Sequence, residues 1–262
     1  MTAFHAIVLG LVQGATEFLP VSSSGHLLLV PVVLGWPDQG VAFDAAVHLG
    51  TALALLCYFA PELLRVTRGV VAGHSADRRL GLAVVLGTIP AGVAGVLFER
   101  AIETRLRSAT VVAWASIAWA LVLWWADRQA ARGSVHEVRE VGVGRALLIG
   151  GAQILALVPG TSRSGVTLSA GLFAGLDRST AARFAFLLGL PITAGAGLLK
   201  TVSLLRHGAG AVGGSVLAIG VLTSFVAGLV AVWFLVAYLR RRTLTVFVVY
   251  RIVLGILILL LL

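Results

Sequence analysis

The residues best suited to chemistry stand close together near the start of the chain, between Gln13 and His26. This stretch holds an amide, a carboxylate, three serine hydroxyls besides that of Thr16, and an imidazole, and apolar residues flank it on both sides. Gln13 and Glu17 are four residues apart, so they share one face of a helix. Pro20 ends that helix, because it has no N–H group and disfavours the helical conformation of the preceding residue. The turn predicted at 22–25 offers hydroxyls and backbone N–H groups that can hold an anion.

A second polar stretch, at 159–165, lies in the second half of the chain and reads Pro-Gly-Thr-Ser-Arg-Ser-Gly. Arg163 is its central residue, because a planar guanidinium with five donors is suited to binding a phosphate or a carboxylate. The hydroxyls and glycine N–H groups around it complete a cradle for a phosphoryl group. If the two stretches meet, they form one phosphate-binding site.

The composition indicates an integral membrane protein. Of the 262 residues, 59% are hydrophobic and 12% are charged, and the mean hydropathy is +1.01, whereas soluble domains carry about 25% charged residues. In such a chain an ionisable group within an apolar segment is costly, and its default interpretation is functional. The net charge of +9 does not indicate a nucleic-acid partner, because the arginines lie in short clusters between apolar runs. That pattern is typical of membrane topology and contact with anionic lipids.

The apolar segments predict an all-α polytopic fold. Two short pieces, at about 5–19 and 26–35, do not reach the ~20 residues that span a bilayer, so they predict a re-entrant hairpin around the polar turn. Irregular backbone at membrane depth is tolerated where protein or a water-filled cavity surrounds it. Longer apolar runs predict transmembrane helices at about 42–64, 80–98, 109–126, 181–205, 214–239 and 243–262.

The pattern of the first half repeats in the second half. Gln153 precedes Pro159 much as Gln13 precedes Pro20, and a similar polar stretch follows each proline. Each half contains one hairpin and three spans, and this odd number requires the second half to be inverted relative to the first. Inverted repeats with broken helices place their polar site near the membrane midplane. We therefore predict a single membrane domain (1–262) composed of repeats at about 1–126 and 146–262 and a linker at 127–145.

The positions of the arginines predict the orientation. With the first hairpin on the outer side, thirteen basic residues lie in inner loops and four in outer loops, as the positive-inside rule requires. The inner residues are Arg65, Arg68, Arg78, Arg79, Arg128, Arg132, Arg139, Arg145, Arg178, Arg183, Arg240, Arg241 and Arg242, and the outer residues are Arg100, Arg105, Arg107 and Arg206. Both termini are then outside.

Together these features predict a hydrolase that acts on a phosphorylated, membrane-resident substrate. Arg163 binds the phosphate, a serine supplies the nucleophile and His26 supplies a base. Glu17 either orients that base or holds a divalent ion. A lipid transporter is the alternative, because inverted repeats around a midplane polar site are typical of transporters. The serine, histidine and arginine favour the enzyme, since transport needs charge complementarity and no nucleophile.

The motifs Gln-Gly-x-Thr-Glu-Phe-Leu-Pro-x-Ser-Ser-x-Gly-His at 13–26 and Pro-Gly-Thr-Ser-Arg-Ser-Gly at 159–165 resemble those of the undecaprenyl-pyrophosphate phosphatases, the bacitracin-resistance family. The resemblance covers essentially the whole chain. It implies hydrolysis of undecaprenyl pyrophosphate to undecaprenyl phosphate, which recycles the lipid carrier of peptidoglycan synthesis and confers bacitracin resistance. It also implies interdigitated inverted repeats in the bacterial inner membrane, a site open to the periplasm, a homodimer among membrane lipids, and a divalent cation, Mg²⁺ or Ca²⁺.

The resemblance also assigns roles to residues. Ser23 matches the proposed nucleophile, and His26 matches the histidine that activates it or acts itself. Glu17 matches the metal ligand. Gln13 and Glu17 together match the family's Glu/Gln-x-x-x-Glu pair, and where that pair is two glutamates, this chain has one. With Arg163, the matching phosphate- or substrate-binding residues are Gln13, Ser22, Ser24, Gly25, Gly160, Thr161, Ser162, Ser164 and Gly165. The expected mechanism is attack by Ser23, deprotonated by His26, on the terminal phosphorus, followed by water. Attack by His26, or by water with His26 as base, is the alternative.

Three more polar residues lie within apolar runs. We interpret His48 and Lys200 as structural or snorkelling residues. Arg251 is expected to pair with a carboxylate or a backbone carbonyl rather than to perform chemistry.

Overall fold

The computed structural model describes residues 1–106, 108–130, 133–207 and 212–261, with the side chains of 1–98, 106, 108–130, 133–197 and 212–261. Within these ranges the fold is all-α, as predicted, apart from an isolated β-bridge between Val135 and Leu176. The helices, in chain order, are α1 Ala3–Phe18, α2 Ser23–Leu34, α3 Gly40–Val71, α4 Ser75–Arg105, α5 Ala109–Gln129, α6 Val143–Gln153, α7 Arg163–Phe173, α8 Arg178–His207, α9 Gly214–Leu239 and α10 Thr245–Leu261.

The long helices correspond to the predicted spans, and they make this a multi-pass membrane protein. Among the described residues, five helices are long and apolar enough to cross a membrane: Gly40–Val71, Ser75–Phe98, Ala109–Gln129, Arg178–Gly197 and Gly214–Leu239. The sixth prediction, at 243–262, corresponds to α10, which has 17 residues and is therefore about 26 Å long. The side chains of Lys200, Arg100, Arg105, Arg107, Arg132 and Arg206 lie outside the described residues, so the predictions on them stay open.

The first hairpin consists of α1 and α2. Helix α1 ends at Phe18 because Leu19, which precedes Pro20, is extended with a ψ of 144°. Ser22 has a φ of 70°, and α2 begins directly after it at Ser23. The polar turn is therefore shorter than predicted, because most of it forms the first turn of α2.

The second hairpin consists of α6, a 3₁₀ segment at Ile154–Leu157, and α7. Ser162 has a φ of 72°, and α7 begins after it at Arg163. Ser22 and Ser162 are the non-glycine residues with positive φ in the described part of the chain, a conformation that is uncommon outside glycine. The two loops thus share one local geometry, which starts α2 with Ser23 and α7 with Arg163. The inverted orientation of the two halves stays a prediction.

Helix α9 lies between α1 and α3, and both pack against it closely. A Cβ atom at Gly14 of α1 would lie 2.6 Å from the carbonyl oxygen of Ser224 on α9. Next to the loops, Phe18 meets Phe186 of α8 edge to face, with ring centroids 5.7 Å apart, and Phe59 of α3 lies 6.2 Å from Phe186. Such aromatic pairs stabilise by about 0.5–1.5 kcal/mol each. This cluster holds the end of α1, and therefore Glu17, against α3 and α8.

Segments predicted to be inner loops lie together at one end of the molecule. Carboxylates at the ends of α3, α4 and α5 pair with arginines from the end of α3, from the linker and from the start of α8. The pairs, together called the ionic cluster, are Arg65–Asp77, Arg139–Asp77, Arg183–Glu62 and Arg178–Asp127, at 3.7, 3.4, 2.8 and 2.5 Å. The Asp127 carboxylate also accepts a hydrogen bond from the backbone N–H of Leu244, between α9 and α10, at 3.1 Å.

Candidate active site

A cavity of about 340 Å³ opens between the two loops. Its polar wall consists of Glu17, Ser22, Ser23, Ser24, His48, Gln153, Ser162, Arg163 and Thr193. Its apolar wall consists of Ala91, Ala156, Leu157, Val158, Ile192, Ala196 and Gly197. Residues from both polar stretches therefore line one cavity, as the sequence predicts.

Glu17 is the central group of the polar wall. Its side chain is 8% exposed, and its Oε1 atom accepts a hydrogen bond from Arg163. Its Oε2 atom accepts hydrogen bonds from the Ser23 hydroxyl at 2.6 Å and from the Gln13 amide at 3.1 Å. A buried carboxylate is costly unless it is paired and hydrogen-bonded, and these donors satisfy that requirement. The arrangement holds the Ser23 oxygen against a potential base.

Arg163 reaches this carboxylate from the second loop. Its guanidinium also donates to the Thr193 hydroxyl at 2.6 Å and to the Gly189 carbonyl at 3.4 Å, both on α8. The arginine side chain is 23% exposed, so it is accessible from the cavity. Two acceptors on α8 therefore hold the guanidinium in place independently of Glu17.

The serines that flank Ser23 and Arg163 are paired in the same way in both loops. The hydroxyls of Ser22 and Ser24 are 3.2 Å apart, and those of Ser162 and Ser164 are 3.1 Å apart. Ser164 also donates to the carbonyl of Leu19 in the first loop, at 3.0 Å. Both α2 and α7 begin at the cavity, so the partial positive charge of two helix N-termini favours an anion there.

His26 does not line the cavity. Its Nδ1 atom lies 2.7 Å from the Ser22 carbonyl oxygen, and its Nε2 atom lies 2.5 Å from the Tyr250 hydroxyl. Because a carbonyl only accepts, Nδ1 carries the proton, and Nε2 of the neutral ring accepts from Tyr250. In this conformation Glu17, and not His26, touches the Ser23 hydroxyl. A role of His26 as base toward Ser23 therefore stays a prediction.

Other predicted binding residues surround the cavity without lining it: Gln13, Gly25, Gly160, Thr161, Ser164 and Gly165. Two of the glycines allow the loops to approach α5. Gly160 has a φ of 89°, and a Cβ atom there would collide with the carbonyl of Val112. At Gly25 a Cβ atom would lie 3.2 Å from a methyl carbon of Val112. Direct contact of these residues with substrate stays a prediction.

Three cavity residues were not predicted to contribute to the site: His48, Gln153 and Thr193. The Nε2 atom of His48 lies 4.0 Å from Oε2 of Glu17, although the sequence suggested a structural residue. Gln153 forms part of the wall at the end of α6, and its correspondence to Gln13 in the repeat was the available signal. Thr193 lies within a long apolar helix, where no motif marks it.

Arg251 of α10 connects the two loops from behind. Its side chain is fully buried, and it donates to the carbonyl oxygens of Pro20 in the first loop and of Gly160 and Thr161 in the second, at 3.1, 2.9 and 3.0 Å. A further bond at 3.1 Å reaches the Ser116 carbonyl on α5. The expectation of backbone carbonyl partners is therefore confirmed. Arg251 is a positioning residue, because it acts on the loops and not on the cavity.

The residues around the cavity fit a divalent cation if the substrate completes its coordination. Among the described residues, no group of three His, Cys, Asp or Glu side chains is placed to hold a metal ion. Mg²⁺, however, is commonly bound through one or two carboxylates and completed by substrate phosphates and water. Glu17 supplies one carboxylate on the cavity wall, and Oε1 of Gln13 is buried without a partner in the described part of the chain. The site therefore fits a cation shared with a bound diphosphate, and it does not fit a cage made by protein alone.

The fold and the cavity define a class: a multi-pass helical membrane protein with a polar cavity built from two loops. Comparison with known proteins identifies the family within this class. Residues 6–257 match the family model described as bacitracin resistance protein BacA. The chain belongs to this family.

Curated relatives cover nearly the whole chain. An undecaprenyl-diphosphatase 2 of Stutzerimonas stutzeri is 48% identical over 261 residues, which is 97% of this chain and 96% of the relative. An undecaprenyl-diphosphatase of Chromohalobacter salexigens is 46% identical, covering 99% of this chain and 98% of the relative. An undecaprenyl-diphosphatase of Moorella thermoacetica is 45% identical, covering 98% of this chain and 97% of the relative.

Proposed function

We infer that this chain hydrolyses undecaprenyl pyrophosphate to undecaprenyl phosphate and inorganic phosphate. The observation that carries this function is the meeting of Glu17, Ser23 and Arg163 on one cavity whose remaining wall is apolar. The guanidinium and two helix N-termini suit the diphosphate, and the apolar wall suits the first part of the prenyl chain. The names of the relatives agree with this substrate. The reaction recycles the lipid carrier of peptidoglycan synthesis and thereby supports bacitracin resistance.

The chemical step follows from the contacts of Ser23. Arg163 exchanges Glu17 for the diphosphate, which carries more negative charge. The Ser23 oxygen attacks the terminal phosphorus and forms an Oγ–P bond, while the bond from that phosphorus to the bridging oxygen breaks and its electron pair leaves with undecaprenyl phosphate. The Ser23 proton passes to Oε2 of Glu17, at 2.6 Å. Stabilisation of charge on the phosphoryl oxygens supplies most of the rate.

Water completes the reaction. Its oxygen bonds to the phosphorus of the phosphoserine, and the Oγ–P bond breaks with its electron pair on the Ser23 oxygen. The proton held by Glu17 returns to that oxygen, and the two protons of the water stay with inorganic phosphate. Inorganic phosphate then leaves the cavity.

His26 is the second candidate for the base, and it would first have to release one of its two partners. We assign His26 a positioning role. Its bond to the Ser22 carbonyl, at 2.7 Å, holds Ser22 at its positive φ, and Ser22 directly precedes the nucleophile. If His26 were instead the nucleophile, the trapped phosphoryl group would be found on its ring.

A divalent cation, Mg²⁺ or Ca²⁺, is part of this proposal. Glu17 would hold it together with the diphosphate, and it would supply neutralisation of the phosphate charge. Since Gln13 replaces a second carboxylate, its amide oxygen is the next available ligand from α1.

We also propose that the protein lies in the bacterial inner membrane with the cavity open to the periplasm. The basic end of α3 supports this orientation: His48 on the cavity and Arg65 in the ionic cluster are 17 residues apart on one helix, about 26 Å. Inner loops are expected to be basic, so the cavity lies closer to the opposite side. A homodimer is proposed from the family resemblance alone.

The test is phosphate release by the purified protein in detergent, with undecaprenyl pyrophosphate and a series of divalent metals. We expect metal-dependent release of one phosphate per lipid and loss of release with a chelator. Detergent removes sidedness, so a lipid transporter without phosphatase activity would release none. Absence of phosphate under every metal condition would overturn the proposed function.

A further inference from the structure

Gln153 has a buried amide that no group in the described part of the chain satisfies. Its side chain is 2% exposed, it forms part of the cavity wall, and neither Oε1 nor Nε2 has a hydrogen-bond partner among the described residues. Leaving a buried polar group unpaired costs about 1–3 kcal/mol. Such a group in a native fold therefore indicates a partner that comes from outside the protein.

The comparison with Gln13 explains why this amide is unpaired. Gln13 holds the corresponding place before the first loop, and its Nε2 atom donates to Glu17, four residues later, at 3.1 Å. The residue four positions after Gln153 is Leu157, an apolar residue of the same cavity wall. The second half thus keeps the amide but lacks its carboxylate partner. The Nε2 donor of Gln153 is therefore available to a ligand that enters the cavity.

The chemistry of the amide identifies the ligand class. Nε2 has two N–H donors and suits the oxygens of an anion, and the cavity already carries Arg163 and the serine hydroxyls for one. Oε1 only accepts, so it needs a hydrogen-bond donor, which a water molecule accompanying the anion provides. We propose that Gln153 is a substrate-binding residue, with Nε2 donating to a diphosphate oxygen and Oε1 accepting from a bound water. This inference rests on the proposed function and adds a contact from α6 to it.

If Gln153 had only a structural role, its replacement would have the opposite effect on stability and substrate binding. A glutamine that stabilises the fold has partners, and its loss destabilises the protein. Gln39 provides the matched control, because it is also buried (9% exposed) and its Nε2 atom donates to Asp44 at 2.9 Å and to the Leu27 carbonyl at 3.3 Å. Gln39 does not line the cavity.

The experiment compares Gln153→Met, Gln153→Glu and Gln39→Met with the wild type. Purified proteins are assayed in detergent for phosphate release over a range of undecaprenyl pyrophosphate concentrations, and melting temperatures are measured without ligand.

For Gln153→Met we expect an unchanged or raised melting temperature. We also expect a KM raised about 10- to 100-fold, the loss expected for a hydrogen bond to a charged group. Gln153→Glu should raise KM further, because its carboxylate repels the diphosphate. Gln39→Met should melt earlier and keep the wild-type KM.

A second readout is binding without turnover. A non-hydrolysable methylenediphosphonate ester of a prenyl alcohol should raise the melting temperature of the wild type and of Gln39→Met, and do so less for both Gln153 variants. A wild-type KM and a wild-type ligand shift in Gln153→Met would overturn this inference while leaving the proposed function intact. A wild type that neither binds the ester nor releases phosphate would overturn both. If Gln153→Met does not fold, Gln153→Glu with a wild-type KM is the overturning result.

Discussion

At the scale of single residues, the contact between Glu17 and Arg163 joins the two hairpins at the cavity. Each charge is buried enough to need a partner, and each finds it in a residue from the other hairpin. In the proposed mechanism a bound diphosphate takes over the arginine, and Oε2 of the carboxylate then accepts the proton of Ser23. The same pair thus joins the two hairpins and, under that proposal, becomes reactive when substrate binds.

Replacing the Ser23 hydroxyl tests the role of nucleophile. Ser23→Ala should lower kcat by about 10³-fold or more, because attack on phosphorus then needs a poorly placed water. It should leave the Glu17–Arg163 contact and the melting temperature nearly unchanged. Acid quenching of wild-type turnover, followed by peptide mapping, should find a phosphoryl group on Ser23. Phosphate found on His26, or near-wild-type turnover in Ser23→Ala, would contradict this role.

The spacing of residues identifies part of the site and misses the rest for a physical reason. Glu17, Ser23 and Arg163 stand in short polar stretches, where hydroxyls, glycines and a proline interrupt apolar sequence. His48, Gln153 and Thr193 come from helices that line the cavity, and each is a lone polar residue in an apolar run. Only the three-dimensional packing of α3, α6 and α8 around the loops shows that these residues reach it.

At the scale of elements, the site depends on two loops that are held in an uncommon backbone conformation. Ser22 and Ser162 have φ values of 70° and 72°, which costs roughly 1–2 kcal/mol for a residue with a Cβ atom. The bond from His26 to the Ser22 carbonyl, the serine pairs and Arg251 offset this cost. The conformation places Ser23 and Arg163 at the first position of their helices.

Arg251 should be essential for the relative position of the loops. Arg251→Met keeps much of the volume but leaves the three loop carbonyl groups of Pro20, Gly160 and Thr161 without this donor, so we expect destabilisation of about 3 kcal/mol or more. Arg251→Lys should restore part of the stability, since an ammonium group reaches fewer of these carbonyls. The loss of kcat should follow the loss of structure, as measured by melting temperature and turnover on the same samples. A stable Arg251→Met protein with wild-type turnover would show that the two loops keep their relative position without Arg251.

The approach of the second loop to α5 can be tested with a pair of glycines. Gly160 and Gly175 have similar φ values, 89° and 85°, but a Cβ atom at Gly175 meets nothing within 4 Å. Gly175→Ala should therefore cost only about 1–2 kcal/mol, the backbone penalty. Gly160→Ala should cost at least about 2 kcal/mol more, because the methyl group collides with the Val112 carbonyl. Equal melting temperatures of the two variants would contradict the close contact.

Hydropathy predicts where helices cross a membrane better than where they end. The prediction 214–239 coincides with α9, because apolar sequence there fills the whole helix. Predictions at 42–64 and 181–205 are shorter than α3 and α8, since both helices continue into charged sequence that pairs with other loops. Arg65 and Arg178 lie in these extensions, where they pair with Asp77 and Asp127.

At the scale of the whole molecule, charge is separated between two ends. The arginine-rich segments of α3, α4, the linker and α8 meet through buried carboxylates, and the cavity with its two loops lies toward the other end of α3. This separation was expected from the arginine count, but the contacts between distant segments, such as Arg183 with Glu62, were not. They need the packing of α8 against α3.

Cysteine labelling tests the proposed orientation. In a Cys57→Ala background, His74→Cys reports on the basic end and Ser215→Cys on the start of α9; both positions are exposed. In intact spheroplasts we expect a membrane-impermeant maleimide to label Ser215→Cys and to leave His74→Cys unlabelled until the cells are opened. The reverse pattern would contradict the proposed topology and place the cavity toward the cytoplasm.

The most direct test of the central claim is the turnover of Arg163→Ala and Glu17→Ala with undecaprenyl pyrophosphate and metal, in detergent, beside the wild type. Both variants should fold, because Thr193, Ser23 and Gln13 remain in place around the altered group, and their melting temperatures verify this. We expect turnover to fall by at least about 10³-fold in each, as the electrostatic contribution to phosphoryl transfer requires. Wild-type turnover in either folded variant would contradict the conclusion that the two loops form the phosphatase site.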